Sequence, residues 1–259
     1  MSCTHSRSGF ARMLRPAMAL VTVLACLVSA PVAEAQSLRE ALFGEQPHDG
    51  RSEKTPPVAV FVSEDGDRFI LDRTRETALL RFSTNPEIWA LKPSPGPKGD
   101  VIYKNDVGEP VLRSSRWGGL TLFSPDRPTG QPAAVLGRSE PIRVGQISPT
   151  SLLQYLARAS RRASEALNRL VPFNADVNTP GADYLFADSA NVTAVALEQL
   201  ADDPTARSEL NGVRQVRLTE GRPPSARVEQ GILEIKIDYS QGFAGRPSSE
   251  RISRAILDD

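Results

Sequence analysis

Cysteine and histidine are almost missing from this chain of 259 residues: Cys3, Cys26, His5 and His48 are all it has. Three of those four fall within residues 1–35, which read as an export leader. Arg7, Arg12 and Arg15 precede the apolar run 17–30, and Ala33-Glu34-Ala35 supplies the small-x-small pattern that a signal peptidase accepts before Gln36. Cleavage near Ala35 leaves a cysteine-free chain whose one imidazole is His48. Disulfides, thiol nucleophiles, histidine-based triads and multi-histidine metal sites are thereby nearly excluded by inventory. No catalytic, cofactor-binding or metal-ligating residue is assigned, and no cofactor is expected.

Long apolar runs are lacking too. The stretch 17–30 is shorter than the roughly 20 residues that cross a bilayer as a helix, and nothing later approaches that length, so the mature chain is expected to hold no transmembrane segment. A lipid anchor is the competing reading of the leader, because Val23-Leu24-Ala25-Cys26 loosely fits a lipobox. Against it, residues 27–33 stay apolar beyond the cysteine. Strong charge of either sign is absent as well: after Arg7, Arg12, Arg15 and Glu34 are set aside, 28 basic and 30 acidic residues remain. Such a balance gives no field able to gather nucleic acid. The phosphate loop G-x-x-x-x-G-K-[ST], the dinucleotide fingerprint G-x-G-x-x-G, the G-x-S-x-G elbow and an S-x-x-K dyad are likewise missing.

What is present divides in three. Residues 36–57 are polar and broken by proline, and read as a flexible linker carrying His48. Residues 58–146 read as a β-rich domain. The segments 58–64 and 67–72 flank Asp65-Gly66, which suits a two-residue hairpin turn and sets Val62 opposite Phe69 and Val60 opposite Leu71. Further strands are expected at 77–82, 87–91 and 101–104. A second hairpin at Gly118-Gly119 joins 111–117 to 120–124 and places Trp117 across from Leu120. The proline-rich stretch 92–99 is expected to be a stiff surface loop, since proline cannot donate to a ladder. Strands about every ten residues indicate an antiparallel meander, a small barrel or a sandwich.

Residues 147–259 read as an α/β segment, packed on the same core or standing apart from it. Ser148 caps a helix with Pro149 at its first position, and Leu152, Leu156, Ala159, Ala163, Ala166 and Leu170 form one stripe before Pro172 stops it. Residues 184–187 form a short segment, a possible strand, that leads through Asp188 and Ser189 into a second helix. Two strands, 213–219 and 227–239, are separated by Gly221-Arg222-Pro223-Pro224, and a helix at 248–257 turns Ile252, Ala255 and Ile256 inward. The fold class is therefore α+β: an antiparallel meander followed by a helix-containing segment with two further strands and a C-terminal helix.

Four constellations could carry chemistry. Glu64, Asp65 and Asp67 offer three carboxylates but lack the longer loop of a calcium hand, so a turn is expected. Glu234, Lys236 and Asp238 share one face of a strand. Two residues four apart on a strand lie about 13 Å apart, beyond the roughly 5–9.5 Å of a glycosidase pair, so a solvated sheet face with Lys236 balancing its neighbours is expected; as acids, Glu234 and Asp238 need a third carboxylate, for which Glu109 is the candidate. Arg158, Arg161, Arg162 and Arg169 lie away from the apolar stripe of the first helix and read as a solvated face, with Glu165 balancing Arg161. Asp188 or Ser189 is expected to cap its own helix rather than to help bind an anion.

The stretches Gly99-Asp100-Val101-Ile102-Tyr103-Lys104-Asn105-Asp106-Val107-Gly108-Glu109-Pro110, Arg116-Trp117-Gly118-Gly119-Leu120-Thr121-Leu122-Phe123 and Asp238-Tyr239-Ser240-Gln241-Gly242-Phe243-Ala244-Gly245-Arg246-Pro247 resemble those of a family of secreted alphaproteobacterial proteins of unknown function. The resemblance implies export and a common fold, and brings no catalytic residue with it. Turn-rich polar stretches beside aromatic residues are where a loop-borne site would lie. The resulting expectation is an exported periplasmic or envelope-associated, non-enzymatic binding or assembly protein, its partner an envelope protein or a small ligand. A carboxylate-dependent hydrolase acting on envelope glycan is the alternative.

Overall fold

A computed structural model of the chain describes residues 55–143 and 145–258. The leader, Cys26, His48 and nearly all of the expected linker lie outside the described residues. Eight antiparallel strands, β1 (Val58–Ser63), β2 (Arg68–Asp72), β3 (Ala78–Phe82), β4 (Ile88–Pro95), β5 (Val101–Lys104), β6 (Pro110–Ser114), β7 (Leu120–Ser124) and β8 (Arg127–Arg138), form a closed barrel in sequence order. Then come α1 (Pro149–Leu167), β9 (Phe173–Asp176), α2 (Asp183–Asp202), β10 (Gln215–Glu220), β11 (Ser225–Glu229), β12 (Ile232–Ile237) and α3 (Ser249–Leu257). The expected α+β class holds, and the meander is a barrel rather than a sandwich.

Eight strands enclose a space just wide enough for side chains to fill. Phe61 and Phe69 stack at 5.5 Å, and Leu71, Leu80, Leu91, Tyr103, Leu112 and Leu122 complete the interior. The pairing of β1 with β2 differs from the expected register by one residue: Phe61 faces Phe69 and Ala59 faces Leu71. The turn holds three residues, because Ser63 N–H donates to the Asp67 carbonyl at 2.9 Å and Gly66 takes a left-handed φ of 93°. One extra residue in the turn exchanges the two faces of the strand, so Phe61 rather than Val60 and Val62 enters the barrel. The same turn recurs at 105–109 and 115–119. In each, the first residue's side chain (Ser63, Asn105, Ser115) accepts from the amide of the fifth, and Gly66, Gly108 and Gly118 stand fourth. Trp117 consequently sits in a turn, 82% exposed, and Leu120 pairs with Ser114 instead.

The expected loop at 92–99 is partly strand: β4 continues to Pro95 and pairs with β5. Its prolines are tolerated because β3 leaves β4 after the Ala78–Leu91 pair. Gly96 N–H donates to the Asp100 carbonyl, so the period-two alternation sends the donor-less nitrogens of Pro93 and Pro95 toward the vacated side. The long closing strand β8 has no clear alternation and contains Pro128, Gly130 and Pro132, which hid it in the sequence.

The second half is a four-stranded sheet, order β11-β12-β10-β9, covered on one face by helices. Strand β9 was not expected, and the expected strand 227–239 is a hairpin, β11 and β12, turned at Gln230-Gly231, both with positive φ. Helix α1 starts as expected, with Ser148 Oγ accepting from Ser151 N–H. It ends earlier, because Asn168 adopts a left-handed φ of 52°, and Leu170 lies outside it, 79% exposed. Helix α2 begins at Asp183, so residues 184–187 are helical and not a strand. Its run of small and aliphatic residues, buried on nearly every side, packs on the sheet and on Ala159 and Ala163 of α1. Leu79 and Ile142 join this second hydrophobic cluster, with Ile70, Ile88 and Ala90 against it, so β2–β4 present apolar residues outward as well as inward. That double burial explains why Ala78, Leu79 and Leu80 are all buried in succession.

Candidate functional site

Where the barrel meets the sheet-and-helix half, carboxylates from the barrel receive the start of α3. Asp106, in the β5–β6 turn, accepts from Ser248 N–H at 3.0 Å, from Ser248 Oγ at 2.5 Å and from Arg251 Nε at 2.8 Å. Glu87, just before β4, accepts from Ser249 N–H at 3.1 Å and from Ser249 Oγ at 2.5 Å. Ser248 meanwhile caps α3 itself, its Oγ accepting from Arg251 N–H at 3.1 Å. Helix N-termini favour negative charge because their first amides point outward unpaired, and here two side chains of the barrel meet that demand.

Arg246 lies beneath this contact, 3% exposed. Its Nε donates to Asp188, one terminal nitrogen donates to the Ile88 carbonyl at 2.7 Å, and the other stands 3.5 Å from Glu87. Burial pushes the Glu87 carboxyl above its ordinary value of 4.5, and the Arg246 charge and the Ser249 hydrogen bonds only partly oppose it. Asp188 takes the closer contact with the shared guanidinium, which leaves Glu87 the less compensated of the two. Arg246 and Ser248 are held in place by the turn 239–245. Asp238 N–H donates to the Gly245 carbonyl at 2.7 Å, and a Cβ on Gly245 would lie 1.8 Å from the Asp238 carbonyl oxygen, so only glycine fits. Tyr184 packs edge-on against Tyr239 and Phe243, at 6.0 and 6.3 Å.

Above this network opens a cleft of about 310 Å³. Ala90 and Lys92 of β4 and Asn105 and Asp106 form the barrel side, and Pro223, Pro224, Gln241, Phe243 and Ala244 the other. Two of the three quoted stretches, 99–110 and 238–247, thus converge on one cleft. The third, 116–123, does not contribute; its Arg116 guanidinium lies over the Trp117 ring at 4.7 Å, and its Arg116 N–H donates to Asp100. Lys92 is exposed, and it pairs in register with Lys104 on β5. Neither lysine has a carboxylate partner among the described residues, and like charges directly opposite destabilise a strand pair.

The other residues singled out in the sequence are dispersed. Asp65 pairs with Arg127 at 3.1 Å and Asp67 closes its turn with Ser63, as a turn requires. Glu234 binds Arg227 at 2.7 Å, on the open face of the sheet. Glu109 binds Arg254. Asp238 accepts from Ser240 N–H and Oγ and from Gln241 Nε2, and the Ser240 hydrogen bond holds its carboxyl below the usual range. The arginine face of α1 is a correction: Arg158 and Arg161 are exposed, but Arg162 clamps Glu198 and Asn191 of α2, and Arg169 donates to the carbonyls of Leu210 and Val213. Asp188 caps no helix; it meets Arg246, and α2 starts without a side-chain cap. Ser189 is buried, and its hydroxyl has no hydrogen-bond partner among the described residues. Sequence reasoning missed Glu87, Lys92 and the role of Arg246, although Arg246 and Asp106 lay inside stretches singled out as a site for loops.

The arrangement defines a two-part α+β protein, a filled barrel joined to a small mixed sheet through a buried arginine and a capped helix, with a cleft at the junction. The chain belongs to the family described as a domain of unknown function (DUF4908), which matches residues 37–256. No curated protein and no solved structure matches it. Among the described residues, no helix is long and apolar enough to cross a membrane, and no group of three or more histidine, cysteine or acidic side chains is arranged to hold a metal ion.

Proposed function

We propose that this is an exported protein of the periplasm or envelope, a member of a secreted alphaproteobacterial family, which binds or assembles with a partner through the cleft between barrel and sheet. The observation that carries the reading is the distribution of charge there. The nearby carboxylates, Glu87, Asp106, Asp188 and Asp238, are each committed to arginines, hydroxyls or helix amides, while Lys92 stands in the cleft with a second lysine opposite and no carboxylate partner among the described residues. A site so arranged has no free acid and base to perform catalysis and one free cation to hold an anion. Its ligand has an apolar part that lies against Pro223, Pro224 and Ala244, and an acidic group that meets Lys92. The hydrolase reading loses support because Glu109, Glu234 and Asp238 are all tied in ion pairs or turns.

Crosslinking in whole cells, followed by purification of the tagged chain, tests this. Wild type is expected to bring down one abundant envelope partner or ligand, and Lys92→Glu or Ala244→Trp to lose it, with Lys92→Glu melting no lower than wild type because it sets an opposite charge against Lys104. Equal recovery by wild type and both variants refutes the cleft as the site. Mass spectrometry of the processed N-terminus reads the export claim: Gln36 is expected, an acylated Cys26 marks a lipoprotein, and an unprocessed Met1 refutes export.

A further inference from the structure

Strand β9 lies at the edge of its sheet, with β10 its one neighbour among the described residues. Val216 N–H donates to the Pro172 carbonyl, and the parallel register then turns the backbone of Asn174 and Asp176 toward β10, leaving the amide and carbonyl groups of Phe173 and Ala175 on the free side. An open groove of about 640 Å³ wraps this edge, lined by Leu153 and Ala157 of α1 on one flank and by Asn174, Asp176 and Arg217 on the other. Because those two sets lie on opposite faces of the sheet, the groove passes over the unpaired backbone itself. The edge holds no lysine, no proline and no bulge within β9; its protections are its length of four residues and the single charge of Asp176. Leu153 is 66% exposed. Arg217 and Asp176, both exposed and neighbours on one face, have no ion-pair partner among the described residues.

We infer that β9 is the contact by which two copies of this chain form a two-fold dimer, the two edges pairing antiparallel into one continuous eight-stranded sheet. A symmetric contact needs a self-complementary surface, and β9 supplies one. With Ala175 facing its own counterpart, Asn174 stands across from the partner's Asp176. Arg217, beside Asn174, is then two strand spacings, about 10 Å, from that carboxylate, within the combined reach of the two side chains. The unpaired acid and unpaired base of each copy thus neutralise each other twice across the axis. On the opposite face, the exposed Leu153 and Ala157 of the two α1 helices come together. This inference is independent of the cleft.

Light scattering after size exclusion, on protein purified from cells expressing the full sequence, is expected to give twice the subunit mass. Ala175→Pro removes a donor from the free side without touching the ladder to β10, and is expected to give monomers with unchanged circular dichroism. Asp176→Arg and Arg217→Asp each place like charges across the axis and are expected to weaken the dimer about tenfold or more, while the two together, or the two single variants mixed, restore it. A wild-type monomer at about 100 µM, where contacts with sub-millimolar Kd are populated, overturns the inference. So does a dimer indifferent to Ala175→Pro, or a double variant no better than the singles.

Discussion

Replacing Arg246 by methionine tests the junction most directly. The guanidinium serves four acceptors: the Asp188 and Glu87 carboxylates and the carbonyls of Ile88 and Pro247. Methionine fills much of the same volume and serves none of them. Leaving a buried acceptor unpaired costs about 1–3 kcal/mol, and removing one partner of a buried ion pair costs about 3–5 kcal/mol. Asp188, whose side chain is 15% exposed, recovers some water, whereas Glu87 at 0% cannot. The expected loss is therefore about 4 kcal/mol, a large share of the roughly 5–15 kcal/mol that holds a domain together. In urea at pH 7, with a slope of about 2 kcal/mol per M, the midpoint falls by about 2 M. Adding Glu87→Gln to the variant removes the orphaned charge and is expected to return at least about 1 kcal/mol, since the two sites are coupled. A loss below about 1 kcal/mol for Arg246→Met, or a double variant weaker than the single by the full cost of Glu87→Gln, refutes the assignment of Arg246 as the charge that makes Glu87 tolerable.

Three further outcomes are expected. The raised pKa of Glu87 means that the folded chain holds this proton more tightly than the unfolded one, so its contribution to stability is fully present below pH 4.5 and is lost as pH rises through the raised value; urea titrations across that range will show the decline in wild type and a flatter profile in Glu87→Gln. Gly245→Ala, whose Cβ meets a backbone oxygen, is expected to cost about 3 kcal/mol, against about 1 kcal/mol for Gly66→Ala, where space is open and only the positive φ is unfavourable; parallel thermal melts compare them. Trp117→Ala, in an exposed turn, changes stability by less than about 0.5 kcal/mol but removes the solvent-exposed, red-shifted component of tryptophan fluorescence, leaving Trp89.

Local rules exposed much of this fold and long-range ones hid the rest. The start of α1 was readable because Ser148-Pro149 is a local signal, and α3 because Ile252 and Ile256 recur at helical spacing. The first hairpin was readable as a hairpin, yet its register depended on whether Gly66 closes a two- or a three-residue turn, which one dipeptide does not decide. Strand β4 ran through prolines because its neighbour departs there, a fact of topology. Residues 184–187 looked extended because their run of apolar residues has no helical gap; α2 is buried on nearly all sides and needs none. Glu87 and Arg246 carried no sequence signal, since 158 residues separate Arg246 from the Ile88 carbonyl beside Glu87.

The hydroxyls of Ser248 and Ser249 answer carboxylates that precede them by 142 and 162 residues. A ribosome that has finished the barrel has yet to make the groups that quiet Asp106 and Glu87, and closing so long a loop is slow. Until the segment that begins at Ser248 emerges, the nascent chain holds a seam that cannot shut. A product cut short before Ser248 therefore lacks the donors that Asp106 and Glu87 meet in the finished molecule, and leaves both carboxyl groups at an open junction.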